Sequence, residues 1–421
     1  MKSGLSFLIA ARRCEIRDLE QLLLTGELVE CCGRLIHALQ RERGMTNVFL
    51  ASRGSRWAVE RRQQVADCLR LEDEARAAFD RLDTEGSRIG NGARLFSRIA
   101  YALHDLESLP ALRRRIDAVD GIGAAESTQA FIGLVARLLA VVFEAADSAG
   151  DPQVSRQLVA MFNFMQGKEF AGQERATGAA AFTSGRSDLR RQQQWLHLID
   201  SQERCFQVFV DLAEPGPLVL WHACATGPTV PELERLRRIG CTAPVDAPLA
   251  PDLSPVWFDC CSARIDGMQA VESRLAADLL QLCRDRIAQA RQDLQSQQSL
   301  LDALACPPAP AGAGFAAQGA DGFHVAPQVY GPHLERSVLE LLQEQSRRLQ
   351  AMHDELATVR ASLDERKRVE RAKGLLMAHR QISEDDAHKM LRQTAMSQNR
   401  RLVDVAEAVL AMADLLPGPA R

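Results

Sequence analysis

Aromatic residues are scarce in this 421-residue chain, at 5% of the total. Long stretches that alternate apolar and polar residues are missing as well. Leu, Ala, Arg and Gln dominate instead, and that composition favours helix over sheet. Among its 11 cysteines none has a CxxC spacing, which argues against a zinc finger or ribbon. The adjacent pairs Cys31-Cys32 and Cys260-Cys261 point in different directions on a helix, so the thiols read as small buried apolar groups in a reducing compartment. No apolar run approaches the ~20 residues of a membrane helix; the longest, Phe131 to Phe143, is interrupted by Arg137. The opening Leu5-Ser6-Phe7-Leu8-Ile9-Ala10 is short for a signal peptide and has Arg12 and Arg13 on the wrong side. The reading is a cytoplasmic protein with no membrane partner. A net charge of −4 leaves room for a nucleic-acid surface only as a local patch.

Helical periodicity runs through residues 1–305. Leu22, Leu28, Leu35 and Leu39 share one early face, and Phe131, Leu134, Val135, Leu138 and Val142 a later one, at the spacing of a buried helical stripe. Breaks fall at 86–92, 120–123, Gly150-Asp151-Pro152 and Thr183-Ser184-Gly185, and a less regular segment opens at Glu214-Pro215-Gly216-Pro217 and runs to about Pro255. Long helices with short breaks predict helical bundles. Residues 306–332, rich in Pro, Ala and Gly, predict a linker. Residues 333–365 carry a seam: Leu342, Leu349, Leu356 and Leu363 in one register, Val338, Gln345, Met352 and Val359 in the other. That is about four heptads of a coiled coil, which predicts a homodimer.

Residues 366–417 read as three short amphipathic helices. The first is basic, with six Lys or Arg and one Glu between Arg366 and Arg380. From Asp364 to the end there are only two more basic than acidic residues, so the charge is a stripe. Ser383 with Asp386 resembles a capping box for the second helix, whose apolar face is Ala387, Met390, Leu391, Thr394 and Ala395. The third follows Asn399. The order Arg371-Ala372-Lys373-Gly374-Leu375-Leu376-Met377, then Ile382-Ser383-Glu384, then Leu391-Arg392 with Ala395-Met396, then Asn399-Arg400-Arg401-Leu402 with Asp404-Val405-Ala406, resembles the ANTAR domain from end to end. That resemblance implies a three-helix RNA-binding module that acts in transcription antitermination on paired leader hairpins. RNA loops are read through phosphates and splayed bases. Arg368, Arg371, Lys373, Arg392, Arg400 and Arg401 are the candidate phosphate and base-edge contacts, and Gln398 and Asn399 the amide contacts. Stacking aromatics are missing from this segment, which disfavours an RRM or OB-type surface.

Upstream, three motifs set an arginine beside acidic residues in an apolar helical context. They are Gln40-Arg41-Glu42-Arg43-Gly44-Met45-Thr46, read as the end of a helix; Gly167-Lys168-Glu169-Phe170-Ala171-Gly172-Gln173-Glu174-Arg175; and Trp257-Phe258-Asp259-Cys260-Cys261-Ser262-Ala263-Arg264-Ile265-Asp266. A single Arg–Glu pair is ordinary bundle structure; three in one region suggest a shared anion pocket. The motifs resemble the NIT domain, the nitrate- and nitrite-sensing module, over roughly residues 30–285. The resemblance implies two stacked four-helix bundles and places the anion-binding arginines at Arg43, Arg175 and Arg264. Nitrate is planar, and guanidinium offers it a planar fork of donors.

The expectation is therefore an all-α chain: a sensing domain over 1–305, a linker, a coiled-coil helix and an RNA-binding module. It would be a one-component nitrate- or nitrite-responsive antiterminator of a nitrate assimilation operon, with leader RNA as partner, no DNA, and no cofactor or metal. An alternative has the C-terminal helices docking a protein partner instead of RNA. An enzyme with Glu42 or Glu174 as general base is disfavoured, because no nucleophile–base pair, metal cluster or phosphate loop accompanies them.

Overall fold

The computed structural model describes residues 4–82, 92–119, 121–305, 351, 356 and most of 365–413. Among these the regular structure is helical, with one isolated bridge between Arg186 and Pro248. Nine helices form the N-terminal domain: α1 (Gly4–Ala51), α2 (Ala58–Asp80), α3 (Gly92–Asp117), α4 (Ala124–Ser148), α5 (Pro152–Ser184), α6 (Leu189–Leu212), α7 (Pro215–Ala225), α8 (Val230–Thr242) and α9 (Leu253–Ala305). A helical stretch over 371–377 precedes α10 (Glu384–Ser397) and α11 (Leu402–Ala413).

The helix ends follow local chemistry. Pro152 opens α5, and the Asp151 carboxylate accepts from the amides of Gln153 and Val154, both at 3.0 Å, an N-cap of ordinary form. The same helix stops at Gly185, whose φ of 70° suits glycine. Asp188 caps α6.

The packing pairs α1 with α2 and α4, and α3 with α4; on its other side α1 pairs with α9 and α5, and α5 with α6. These pairings are compatible with two stacked four-helix bundles on either side of α1. Its antiparallel partner α9 meets it along its length, from Arg12–Asp293 and Glu20–Arg291 to Gly44 beside Phe258. One apolar core, with Leu28, Leu35, Ile36, Phe131, Phe164 and Met268 closed to solvent, runs through both bundles. Each such side chain contributes roughly 1.5–3 kcal/mol. A second core of Phe182, Trp195, Leu236 and Trp257 fills the far end of α5, α6, α8 and α9. A third, of Ala372, Leu391, Ala395, Val405 and Ala406, holds the C-terminal module together.

Two expectations change, and a third is left untested. The segment from Pro215 to Pro255 is not irregular: it holds α7 and α8, each with a proline in its first turn, and its return strand is pinned by amide bonds between Ser187 and the 246–247 backbone. The Arg41-Glu42-Arg43-Gly44 motif does not end a helix, since α1 continues to Ala51. The linker over 306–332 and nearly all of the leucine seam over 333–365 lie outside the described residues.

Candidate functional site: a buried arginine cluster and a docked effector

α5 is the wall on which the arginine chemistry is built. On one side Arg43 of α1 grips Glu169, with Nη1 on Oε1 at 2.6 Å and Nη2 on Oε2 at 3.2 Å; Gln40 and Gln173 donate to the same carboxylate at 2.9 Å each. On the other side Glu174 accepts from Trp195 Nε1 at 3.0 Å, Gln202 Nε2 at 2.7 Å, and Arg237 Nε and Nη2 at 2.7 and 2.6 Å. Burial works against the charge on Glu174, but the Arg237 bonds prevail and hold its carboxyl below the usual range. Both carboxylates are buried and saturated as acceptors, as a buried charge requires.

The two remaining guanidinium groups are less well compensated. Arg175 is buried; its Nη1 donates to Ser262 Oγ at 2.9 Å, its Nη2 to the Gln40 carbonyl at 3.4 Å, and its head lies 4.8 Å from the Phe258 ring centre. Burial and then the neighbouring Arg43 lower its pKa to about 10. Arg264, half-buried, donates to Gln202 Oε1 at 2.9 Å, and burial followed by Arg237 pushes its pKa down. No ion pair joins either of them to a carboxylate among the described residues. Four arginines thus converge on two carboxylates, and the deficit falls on Arg175 and Arg264. Cys261 lies between the two halves, within electrostatic reach of Arg175, Arg237 and Arg264.

Glycine makes the approach possible. A Cβ on Gly44 would sit 2.6 Å from Arg175 Nη2, and one on Gly172 would sit 2.6 Å from Arg43 Nη2. The Gly after Arg43 and the Gly inside the α5 motif are therefore slots for guanidinium heads.

The structure brings Arg43 and Arg175 into mutual electrostatic contact and sets Arg264 in the adjoining half with Arg237. Arg237 escaped the sequence reading because it lies on α8, inside a segment taken as irregular and bearing no motif. Glu42 faces away: Arg113 clamps it at 2.9 and 2.7 Å and also reaches Glu72 at 2.8 Å. Glu42 and Glu174 are thus both fully engaged as acceptors, which leaves neither placed as a general base.

The second candidate surface is docked onto the first. Along α6 the residues Gln193, His197 and Asp200 form one face, and α10 lies against it. Lys389 Nζ donates to Gln193 Oε1 at 3.2 Å, Arg392 Nη1 to Asp200 Oδ2 at 2.6 Å, and the His197 and His388 rings meet edge-on at 5.1 Å. Of the candidate RNA contacts, Arg371, Gln398, Arg400 and Arg401 are exposed, and Arg401 also bonds Asp404 at 3.1 Å. Arg368 pairs with Glu407. Arg392 is occupied by Asp200, and Lys373, with 8% exposure, is covered and so is not open to RNA in this arrangement. Asn399 lies outside the described residues.

These features define a class: a helical bundle with arginines buried in its interior, joined to a small helical module. Residues 34–280 match the family model for nitrate and nitrite sensing, and residues 357–410 that of the ANTAR domain. The nitrate regulatory protein of Klebsiella oxytoca is 34% identical over 402 residues, 96% of this chain and 93% of that protein. The structure of the NasR transcription antiterminator superposes with a TM-score of 0.61 at 31% identity, covering 97% of this chain and 99% of that one. The transcriptional regulatory protein PdtaR of Mycobacterium tuberculosis is 40% identical over 72 residues, 17% of this chain and 35% of its own length. This chain belongs to the nitrate- and nitrite-sensing family and carries an ANTAR effector.

Proposed function

We propose that this chain is a nitrate- or nitrite-responsive regulator of transcription antitermination. The anion binds where the guanidinium deficit lies, against Arg175 and Arg264, with Arg43 adding a third charge. Nitrate presents three coplanar oxygens to guanidinium forks, and several converging cations offset its desolvation.

The observation that carries the mechanism is the double role of α6. Its inner face enters the arginine cluster through Trp195 and Gln202, and its outer face holds the effector through Gln193, His197 and Asp200. Gln202 bridges Arg264 and Glu174, and Asp200 is only two residues away. An anion that draws Arg264 from Gln202 repositions α6 and loosens α10. The freed Arg392 and Lys373, with Arg368, Arg371, Gln398, Asn399, Arg400 and Arg401, then contact leader RNA hairpins and prevent a terminator from forming. The anion must bind the released state more tightly than the docked one for this to work. The chain acts in the cytoplasm as a homodimer paired through the seam at 333–365.

Calorimetry and leader-hairpin binding by the full chain, with nitrate, nitrite, chlorate and sulfate, test the proposal. Nitrate-dependent hairpin binding that disappears on charge reversal of Lys373 and Arg392 supports it. Hairpin binding unchanged by those reversals sinks the RNA reading and favours a protein partner for the effector.

A further inference from the structure

We propose that the cleft between α6 and the effector is a second anion site, which takes a small phosphate-bearing anion and clamps the docked arrangement. A cavity of about 510 Å³ opens there, within the ~300–1,000 Å³ of small-molecule sites. Arg204 lines it from the sensor; His388, Arg392, Arg400 and Arg401 line it from the effector. A ligand seated among them touches both domains at once.

Four arginines line the cleft, and three carboxylates pair with two of them. Asp200 meets Arg392 at 2.6 Å, and Asp404 and Glu365 meet Arg401 at 3.1 and 3.6 Å. Arg400 has no carboxylate within ion-pair distance among the described residues. His388 reports the field: burial first, then His197, Lys373, Arg204 and Arg392, push its pKa down to about 4. All four of those neighbours are cationic or protonatable.

The chemistry differs from that of the inner cluster. Arg204, Arg392, Arg400 and Arg401 are exposed, so a single weakly held charge gains little there. An anion with several phosphoryl oxygens can engage two or three guanidinium forks together, and such bidentate contacts are the strong ones. Because the site exists only while α10 lies on α6, its ligand stabilises that state and opposes nitrate. The regulatory consequence rests on the function proposed above; the binding itself does not.

The test uses tripolyphosphate and the full chain in calorimetry. The wild type is expected to bind one equivalent per chain, and the exposed substitutions Arg204→Gln and Arg400→Gln each to weaken binding at least tenfold. Saturating nitrate should weaken tripolyphosphate binding several-fold, and tripolyphosphate should weaken nitrate binding by the same factor, as linkage requires. No binding by the wild type, or full affinity in Arg204→Gln, overturns the proposal. Binding that nitrate strengthens also overturns it, since the phosphate would then be an RNA mimic on the released effector. The Arg204→Gln comparison needs neither nitrate nor RNA, so it decides the site even if the reading of the effector fails.

Discussion

Two sets of arginines divide the work of this chain, and their surroundings differ more than their chemistry does. Arg43, Arg175 and Arg237 lie inside the bundles, each positioned by buried carboxylates, hydroxyls, carbonyls or rings. Arg371, Arg392, Arg400 and Arg401 lie on the effector surface, where Arg392 and Arg401 pair with half-exposed acids. A buried guanidinium is costly to leave uncompensated, so it selects one small, dehydrated anion of matching shape. An exposed one is weakly committed, so it can exchange Asp200 for a phosphate. In the function proposed above, the inner set reads the signal and the outer set delivers it.

Breaking the inner set should cost most. Arg237→Gln leaves the buried Glu174 carboxylate without its main counter-charge, and denaturant unfolding of the full chain should show a loss of about 3–5 kcal/mol. A loss below about 1 kcal/mol would mean that Trp195 and Gln202 suffice. Next, Arg175→Ala should weaken nitrate binding by about 2–5 kcal/mol, at least thirtyfold by calorimetry, with little effect on the fold because its partners are neutral. Full nitrate binding by this variant, or by Arg43→Ala, would move the site elsewhere.

The interface between the two sets should respond to acid. His388 has a docked-state pKa of about 4 against an ordinary 6.5, so the released form binds more protons below 6.5. Docking is then fully favoured above that value and weakens as the pH falls toward 4. Nitrate-free hairpin binding should rise roughly tenfold between pH 7 and 5.5, and His388→Gln should flatten that rise. A profile that stays steep in the variant would assign the proton to another group. The smallest effect falls on the outer set itself. Asp200→Asn removes one half-exposed ion pair worth about 0.2–1 kcal/mol, which predicts a rise of about 1.4- to fivefold in nitrate-free hairpin binding.

Much of this was legible in the sequence where function depends on local order. The three motifs hold Arg43, Arg175 and Arg264, and the helix breaks at Asp151-Pro152 and Gly185 stand where capping chemistry puts them. The reading failed where function depends on who meets whom. Arg237 sits on an ordinary amphipathic helix whose Pro-rich approach reads as a loop, and only the fold carries it to Glu174. The capture of Arg392 by Asp200 joins segments almost 200 residues apart, which periodicity within one helix does not register. The small Gly44 and Gly172 were visible as motif letters, but their purpose, room for a guanidinium, appears only with the neighbouring helix in place.

Hydrogen exchange of the full chain, with and without nitrate, tests the link between the two arginine sets most directly. If anion binding moves α6 and frees the effector, nitrate should reduce amide protection across α10, at 384–397, in the wild type and leave it unchanged in Arg175→Ala. Protection of α10 that stays the same or increases when nitrate saturates the wild type would contradict release as the signal.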